Sequence, residues 1–207
     1  MNNHKKPLAA TNNVEAAGEN DKRWMRLALN QAHKAAAAGE TPIGAVVVHA
    51  GRVIGRGYNR RETRHDATEH AEIMAIRQAS RYLKSWRLTD CELFVTLEPC
   101  LMCAGALINA RIRRVVYAAA DPKGGACGSV VSAQSLPLFH EIICEPGPFA
   151  TESAELLRAF FKALRTRDRE RGSSGQRRKQ SLTGQKPISA VTKFLTIDQQ
   201  EKTHGNN

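Results

Sequence analysis

Two short stretches constrain this chain more than any other part of it: His70-Ala71-Glu72, and Pro99-Cys100-Leu101-Met102-Cys103. The second puts two thiols one helical turn apart directly behind a proline, a residue favoured at helix starts. The first puts an imidazole and a carboxylate at the start of an apolar-periodic segment. Two thiolates and one imidazole suit zinc, and three protein ligands leave a fourth position for water. Any fold for this chain must bring two helix starts together. Unpaired backbone N–H groups at a helix start favour thiolate.

His70, Cys100 and Cys103 are therefore the candidate zinc ligands, and Glu72 the candidate general acid/base. Glu72 lies two residues beyond His70, a spacing that in mid-helix turns side chains about 200° apart. The pair converges only if both sit in the first turn. Taken alone, a Cys-x-x-Cys pair is also compatible with redox chemistry or a structural metal. No second such pair exists to complete an all-cysteine site, and Cys91, Cys127 and Cys144 are expected in the core or at the surface.

The surroundings of these stretches alternate between strand and helix patterns, which predicts an α/β fold, a three-layer α/β/α sandwich around a mostly five-stranded sheet. A helix is expected from Asp21, its N-cap, to the stop at Gly39. Gly44–Val48 and Val53–Tyr58 read as a hairpin turning at Gly51. Residues 59–66 read as a loop, Thr68 as the N-cap of a helix ending near Tyr82, and Leu93–Leu97 as a strand. Pro99 is expected in the first turn of the next helix, whose end carries Arg111–Arg114. Strands follow at 115–118 and 139–144, separated by the loop Asp121-Pro122-Lys123-Gly124-Gly125. A last helix, 151–165, carries Leu156, Leu157, Phe160, Phe161 and Leu164 on one side. The domain is placed at residues 21–167, between an extension (1–20) and a basic tail (168–207), both expected to be disordered, with one apolar patch at 191–197.

The chain has 207 residues, a 42% hydrophobic content and a formal charge of +11. Its sequence pI is about 9.8 and its mean hydropathy −0.43. The basic surplus points to a polyanionic partner, most simply nucleic acid. Five cysteines without a secretory pattern, and no apolar run near the length of a membrane span, predict a soluble cytoplasmic protein with reduced thiols and no membrane partner.

The two central stretches resemble those of the cytidine deaminase-like superfamily of zinc deaminases, whose His-x-Glu and Pro-Cys-x-x-Cys signature is known for base chemistry. Within it, Pro42-Ile43-Gly44-Ala45-Val46, Tyr58-Asn59-Arg60, residues 64–73, residues 96–106 and residues 121–125 are similar to the bacterial tRNA-specific adenosine deaminases. The resemblance covers about residues 24–167. It implies one Zn2+ per subunit held by His70, Cys100 and Cys103, and hydrolytic deamination of adenosine to inosine at the wobble position of a tRNA anticodon. Water adds at C6, Glu72 relays protons to N1 and to the leaving amine, and ammonia departs. It also implies that Asn59 hydrogen-bonds the flipped base and Ile43 packs on its face. Asp121, Lys123 and Phe161 are expected at the anticodon stem-loop, with Phe160 in the core. Arg165, Arg167, Arg169 and Arg171 read equally as phosphate contacts on the anticodon stem or, because Asp168 and Glu170 alternate with them, as a solvated helix end. The family works as a homodimer. Two other readings stand beside this one: a deaminase of a free base or nucleoside, of guanine or cytosine type, and a non-enzymatic RNA-binding module with structural zinc.

Overall fold

Ala50 and Gly51 both adopt positive φ (46° and 69°), the two-residue turn geometry that suits the right-handed twist of a hairpin. It joins β1 (Gly44–His49) to β2 (Arg52–Tyr58), with His49 opposite Arg52 and a register shift between Val47 and Val48. A computed structural model describes residues 11–182 of the chain, with side chains from 18 to 170. Its sheet runs β2-β1-β3-β4-β5, with β3 at Glu92–Leu97, β4 at Arg114–Ala119 and β5 at Ile143–Pro146. β1 is antiparallel to both neighbours, whereas β3, β4 and β5 are parallel.

Alternation along the strands feeds two cores. Ala45, Val47, Leu93, Val95 and Val115 pack with Ala71, Ala75, Ala104, Leu107 and Ile108. These helical residues belong to α3 (Ala71–Leu83) and α4 (Leu101–Asn109). Val46, Val48, Phe94, Val116 and Ala118 pack on the other face with Trp24, Met25 and Ala28 of α1 (Thr11–Ala37). Central strands buried on both faces read as continuous apolar runs, and the result is the expected three-layer α/β/α arrangement.

Contact between α3 and β2 is unusually close. A Cβ on Gly57 would strike the Ala71 carbonyl, and one on Gly55 the Ala75 carbonyl. The Ala71, Ala75, Ala79 stripe therefore lies directly on glycine backbone, which fixes where α3 begins.

Several boundaries differ from the sequence expectation. α1 starts at Thr11 instead of Asp21. Asp21 lies inside it, and its carboxylate is taken by Arg114 in a paired contact of 2.9 and 2.6 Å, a geometry in which each guanidinium nitrogen serves one oxygen. Residues 61–64 form a short helix, α2 (Arg61–Arg64). Thr68 does not cap α3; its backbone and hydroxyl both donate to Asp66 Oδ1 at 2.7 Å, a local Asx turn. Pro99 precedes the N-cap of α4 instead of entering it. Arg111–Arg114 do not end α4: Ala110 is its C-cap, Arg111 has φ 63° and donates to the Phe139 carbonyl, and Arg114 opens β4. That bond and one joining His140 Nε2 to the Ile112 carbonyl hold 139–140 out of register, so β5 starts at Ile143.

The chain divides into two units at Arg165/Thr166. α5 (Ala150–Leu182) runs past the expected end of the last helix into the expected tail. Phe160 is half-buried and outside both buried cores, so the expected core ring is not there. Residues 1–10, the tail beyond 182 with its 191–197 patch, and the Arg171 side chain lie outside the described set.

Candidate metal centre and nucleic-acid interface

Both ligand-bearing helices present their N-caps to one point. His70 is the N-cap of α3 (φ −78°, ψ 155°), and Cys100 is the N-cap of α4 (φ −74°, ψ 172°). An N-cap residue is extended, so the 200° rule for helix interiors does not apply to His70 and Glu72, and the convergence that the sequence demanded is met. Cys103 occupies the first turn of α4, and Glu72 the first turn of α3.

His70 Nδ1 lies 3.7 Å from the Cys100 sulfur and 3.6 Å from the Cys103 sulfur, and the three donor atoms all fall within 4.8 Å of one another. Zinc–sulfur bonds of about 2.3 Å and zinc–nitrogen bonds of about 2.0–2.1 Å at tetrahedral angles give an N–S edge of about 3.6 Å. The residues present therefore fit a tetrahedral ion with one open position.

The electrostatics agree with a site built for a cation. The Cys100 thiol is lowered to about 4, first by a hydrogen bond from Cys103 and then by His70. The Cys103 thiol is pushed up, first by its hydrogen bond to Cys100 and then by burial. One thiolate is thus favoured even without a metal, and a coordinated ion deprotonates a ligating thiol outright. The hydrogen bond to Cys100 raises His70. Glu72 is 4% exposed, and burial raises its carboxyl above the usual range. Behind His70, buried Glu69 takes Arg60 and Arg77 at 3.0 Å each.

The other expected site residues fall into two groups. Asn59 is buried, and its backbone N–H donates to the Ile43 carbonyl at 3.1 Å; Ile43 itself is half-buried. Arg60 N donates to the Glu69 carbonyl at 3.0 Å, which ties the Asn59 segment to the residue before His70. Asp121, Lys123 and Phe161 line one cleft of about 900 Å³ together with Thr41, Leu97 and Arg158. Phe161 is exposed, its ring edge-on to Phe160 at 5.4 Å. The cleft does not include the His70-Cys100-Cys103 triad, but its loop is joined to it: Cys100 bridges to Gly125, and Ala126 N donates to the Pro99 carbonyl. Arg165, Arg167 and Arg169 are exposed.

Two carboxylates were not singled out from the sequence. Glu98 is 2% exposed and receives the backbone amides of Asp121, Cys127 and Ser129 at 2.9–3.0 Å, and the Ser129 hydroxyl. Burial pushes this carboxyl up, but those donors outweigh it and hold it below the usual range. Glu40, wholly buried, receives the Asn59 side chain and two backbone amides. Periodicity carries no signal for a buried acid in a loop. The one available hint was position: Glu98 stands immediately before Pro99-Cys100, and Glu40 immediately after the helix stop Gly39.

The MafB19-like deaminase family matches residues 19–165. The chain is similar to the tRNA-specific adenosine deaminase of Agrobacterium fabrum, 49% identical over 146 residues covering 70% of this chain and 96% of the relative. Its counterpart in Bacillus subtilis is 42% identical over 146 residues, 70% and 91%. Among solved structures, one from a study of A-to-I editing by tRNA:A34 deaminases at the wobble position matches with TM-score 0.64 and 49% identity, over 66% of this chain and 99% of that one. A guanine deaminase from Nitrosomonas europaea matches with TM-score 0.56 at 26% identity, over 66% and 82%.

Proposed function

Because the chain belongs to the MafB19-like deaminases and to the tRNA-specific adenosine deaminases, we propose that it hydrolyses adenosine to inosine at the wobble position of a tRNA anticodon. The observation that carries the reading is the buried Glu72 carboxyl in the same helical turn as His70, whose ring faces Cys100 and Cys103 at tetrahedral-edge distances.

His70, Cys100 and Cys103 would hold one Zn2+ per subunit, which would supply a Lewis acid able to bring the pKa of a bound water to about 7. Glu72 takes a proton from the attacking water and gives it to N1 of adenine. It then moves a second proton to the departing amine. The C6–N bond breaks, ammonia leaves, and C6 keeps the water oxygen as a carbonyl. Asn59 bonds the extruded base and Ile43 packs on its face. Asp121, Lys123 and Phe161 hold the anticodon loop around it; an exposed aromatic beside cations is the chemistry that binds unstacked RNA bases. Further support for RNA comes from the charge of +11.

The enzyme works as a homodimer. The exposure of the apolar side chains Leu101, Met102, Val130, Val131, Leu136 and Phe139 supports this reading. The five free cysteines fit a reducing cytoplasm. Among the described residues, no helix is long and apolar enough to cross a membrane.

The test is incubation of the zinc-loaded protein with a tRNA bearing adenosine at the wobble position, then digestion and quantification of inosine. Guanine, cytosine and free nucleosides run beside it, as does Glu72→Ala with its zinc measured. Inosine from the wild type alone, with zinc kept in the variant, supports the reading. Turnover of guanine or cytosine without tRNA editing replaces it with a small-molecule deaminase. RNA binding unchanged by Glu72→Ala, with no turnover of any substrate, leaves a binding module with structural zinc.

A further inference from the structure

Glu40 is fully buried, yet among the described residues it has no ion-pair partner. Its carboxylate is occupied instead by three N–H donors. Oε2 accepts Asn59 Nδ2 at 3.1 Å and the Glu62 amide at 3.3 Å, and Oε1 accepts the Thr63 amide at 2.7 Å. A wholly buried carboxylate is costly unless hydrogen-bonded, so this arrangement has only one consistent sense.

That sense matters for Asn59. An ionised carboxylate only accepts, whereas an asparagine side chain has a donor end and an acceptor end that can exchange by rotation. Facing Glu40, the asparagine must present nitrogen. Its Oδ1 has no donor among the described residues and is not sealed from solvent. The acceptor and the second N–H are therefore held ready, in a fixed order, on the side away from Glu40.

We propose that Glu40 is a positioning residue for the deamination, locking the Asn59 amide in the one orientation that offers a purine one donor and one acceptor in fixed order. The proposal rests on the reading of Asn59 as a base contact. Adenine shows an acceptor (N7) beside a donor (the 6-amino group), whereas guanine shows two acceptors on that edge. A locked amide matches the first pattern, and a rotating one matches neither firmly.

The experiment is a double-mutant cycle of Glu40→Gln and Asn59→Ala on wobble-adenosine tRNA, with zinc content and thermal midpoint measured for each variant. Glutamine keeps the shape but brings an NH2 group among three donors, so Asn59 turns over to accept from it. Glu40→Gln then lowers kcat/KM by about tenfold or more, the scale of a misplaced substrate contact. The double variant falls no further than Asn59→Ala alone, because Glu40 has nothing left to orient. Additive losses would show that Glu40 only supports the Arg61–Arg64 turn, and overturn the proposal while leaving Asn59 at the base. Full activity in Glu40→Gln overturns it too. Full activity in Asn59→Ala removes the base contact itself, a separate failure that takes the proposal with it.

If Glu40→Gln does not retain zinc, the wild type decides the matter. One of the two Asn59 side-chain amide protons should exchange with solvent much more slowly than the other in nitrogen-15 spectra. Equal, fast exchange of both overturns the lock.

Discussion

The Cα of Gly125 faces the carboxylate of Glu98 so closely that a Cβ there would land on the carboxyl carbon and both oxygens. Glu98 is the hub of the 121–129 loop, because three backbone amides and one hydroxyl converge on it. Gly125→Ala should displace the hub, leaving buried donors unpaired at about 1–3 kcal/mol. The expected outcome is a lower urea midpoint and a loss of tRNA editing greater than the loss of bound zinc. An alanine variant as stable and active as the wild type would mean that the loop does not depend on this packing.

Gly57 gives a second steric prediction, and it reaches the metal through a helix. A Cβ on Gly57 pushes against the Ala71 carbonyl at the start of α3, whose N-cap is His70. Gly57→Ala should cost about 1–3 kcal/mol as overpacking and weaken zinc retention against a chelator. Chemical denaturation and metal release, measured on the same samples, check whether the two effects travel together.

Salt separates the contributions of Lys123 and Phe161, which share the cleft. tRNA affinity should fall steeply with salt, whereas turnover of a small substrate should change little. Lys123→Ala should weaken binding and flatten the log–log salt slope by about 1. Phe161→Ala should weaken binding by about 1–3 kcal/mol with the slope unchanged, since stacking releases no counterions. Titrations at several salt concentrations distinguish the two.

Cys91 is fully buried, and burial, reinforced by Asp90, pushes its thiol up to about 11. At pH 8 about one thiol in a thousand is then ionised, so brief alkylation of the native protein should leave Cys91 unmodified by mass spectrometry, while the unfolded chain reacts. The folded value lies above the ordinary one of 9.0. The folded state therefore holds this proton more tightly, and the associated stability is complete below about pH 9 and lost as pH rises through 11. The denaturation midpoint should fall more between those values in the wild type than in Cys91→Ala.

The sequence by itself determined the family, the grouping of the His70, Cys100 and Cys103 side chains, and the layers. His70, Glu72, Cys100 and Cys103 were legible because ligand type and spacing are local properties, and β1, β3 and β4 because strands buried on both faces must be continuously apolar. What remained was decided by contacts between distant segments. α3 begins at Ala71 because it rests on Gly55 and Gly57 of another element, and β5 begins late because Arg111 and His140 hold the chain before it. Asp21, a cap candidate in isolation, is claimed by Arg114 at the start of β4. Glu40 and Glu98 look like ordinary surface acids in the sequence. Only tertiary structure buries them, surrounding Glu40 with amides from the first turn of α2 and Glu98 with amides from the 121–129 loop. A residue's type limits which bonds it can make, but the partner is chosen by the fold.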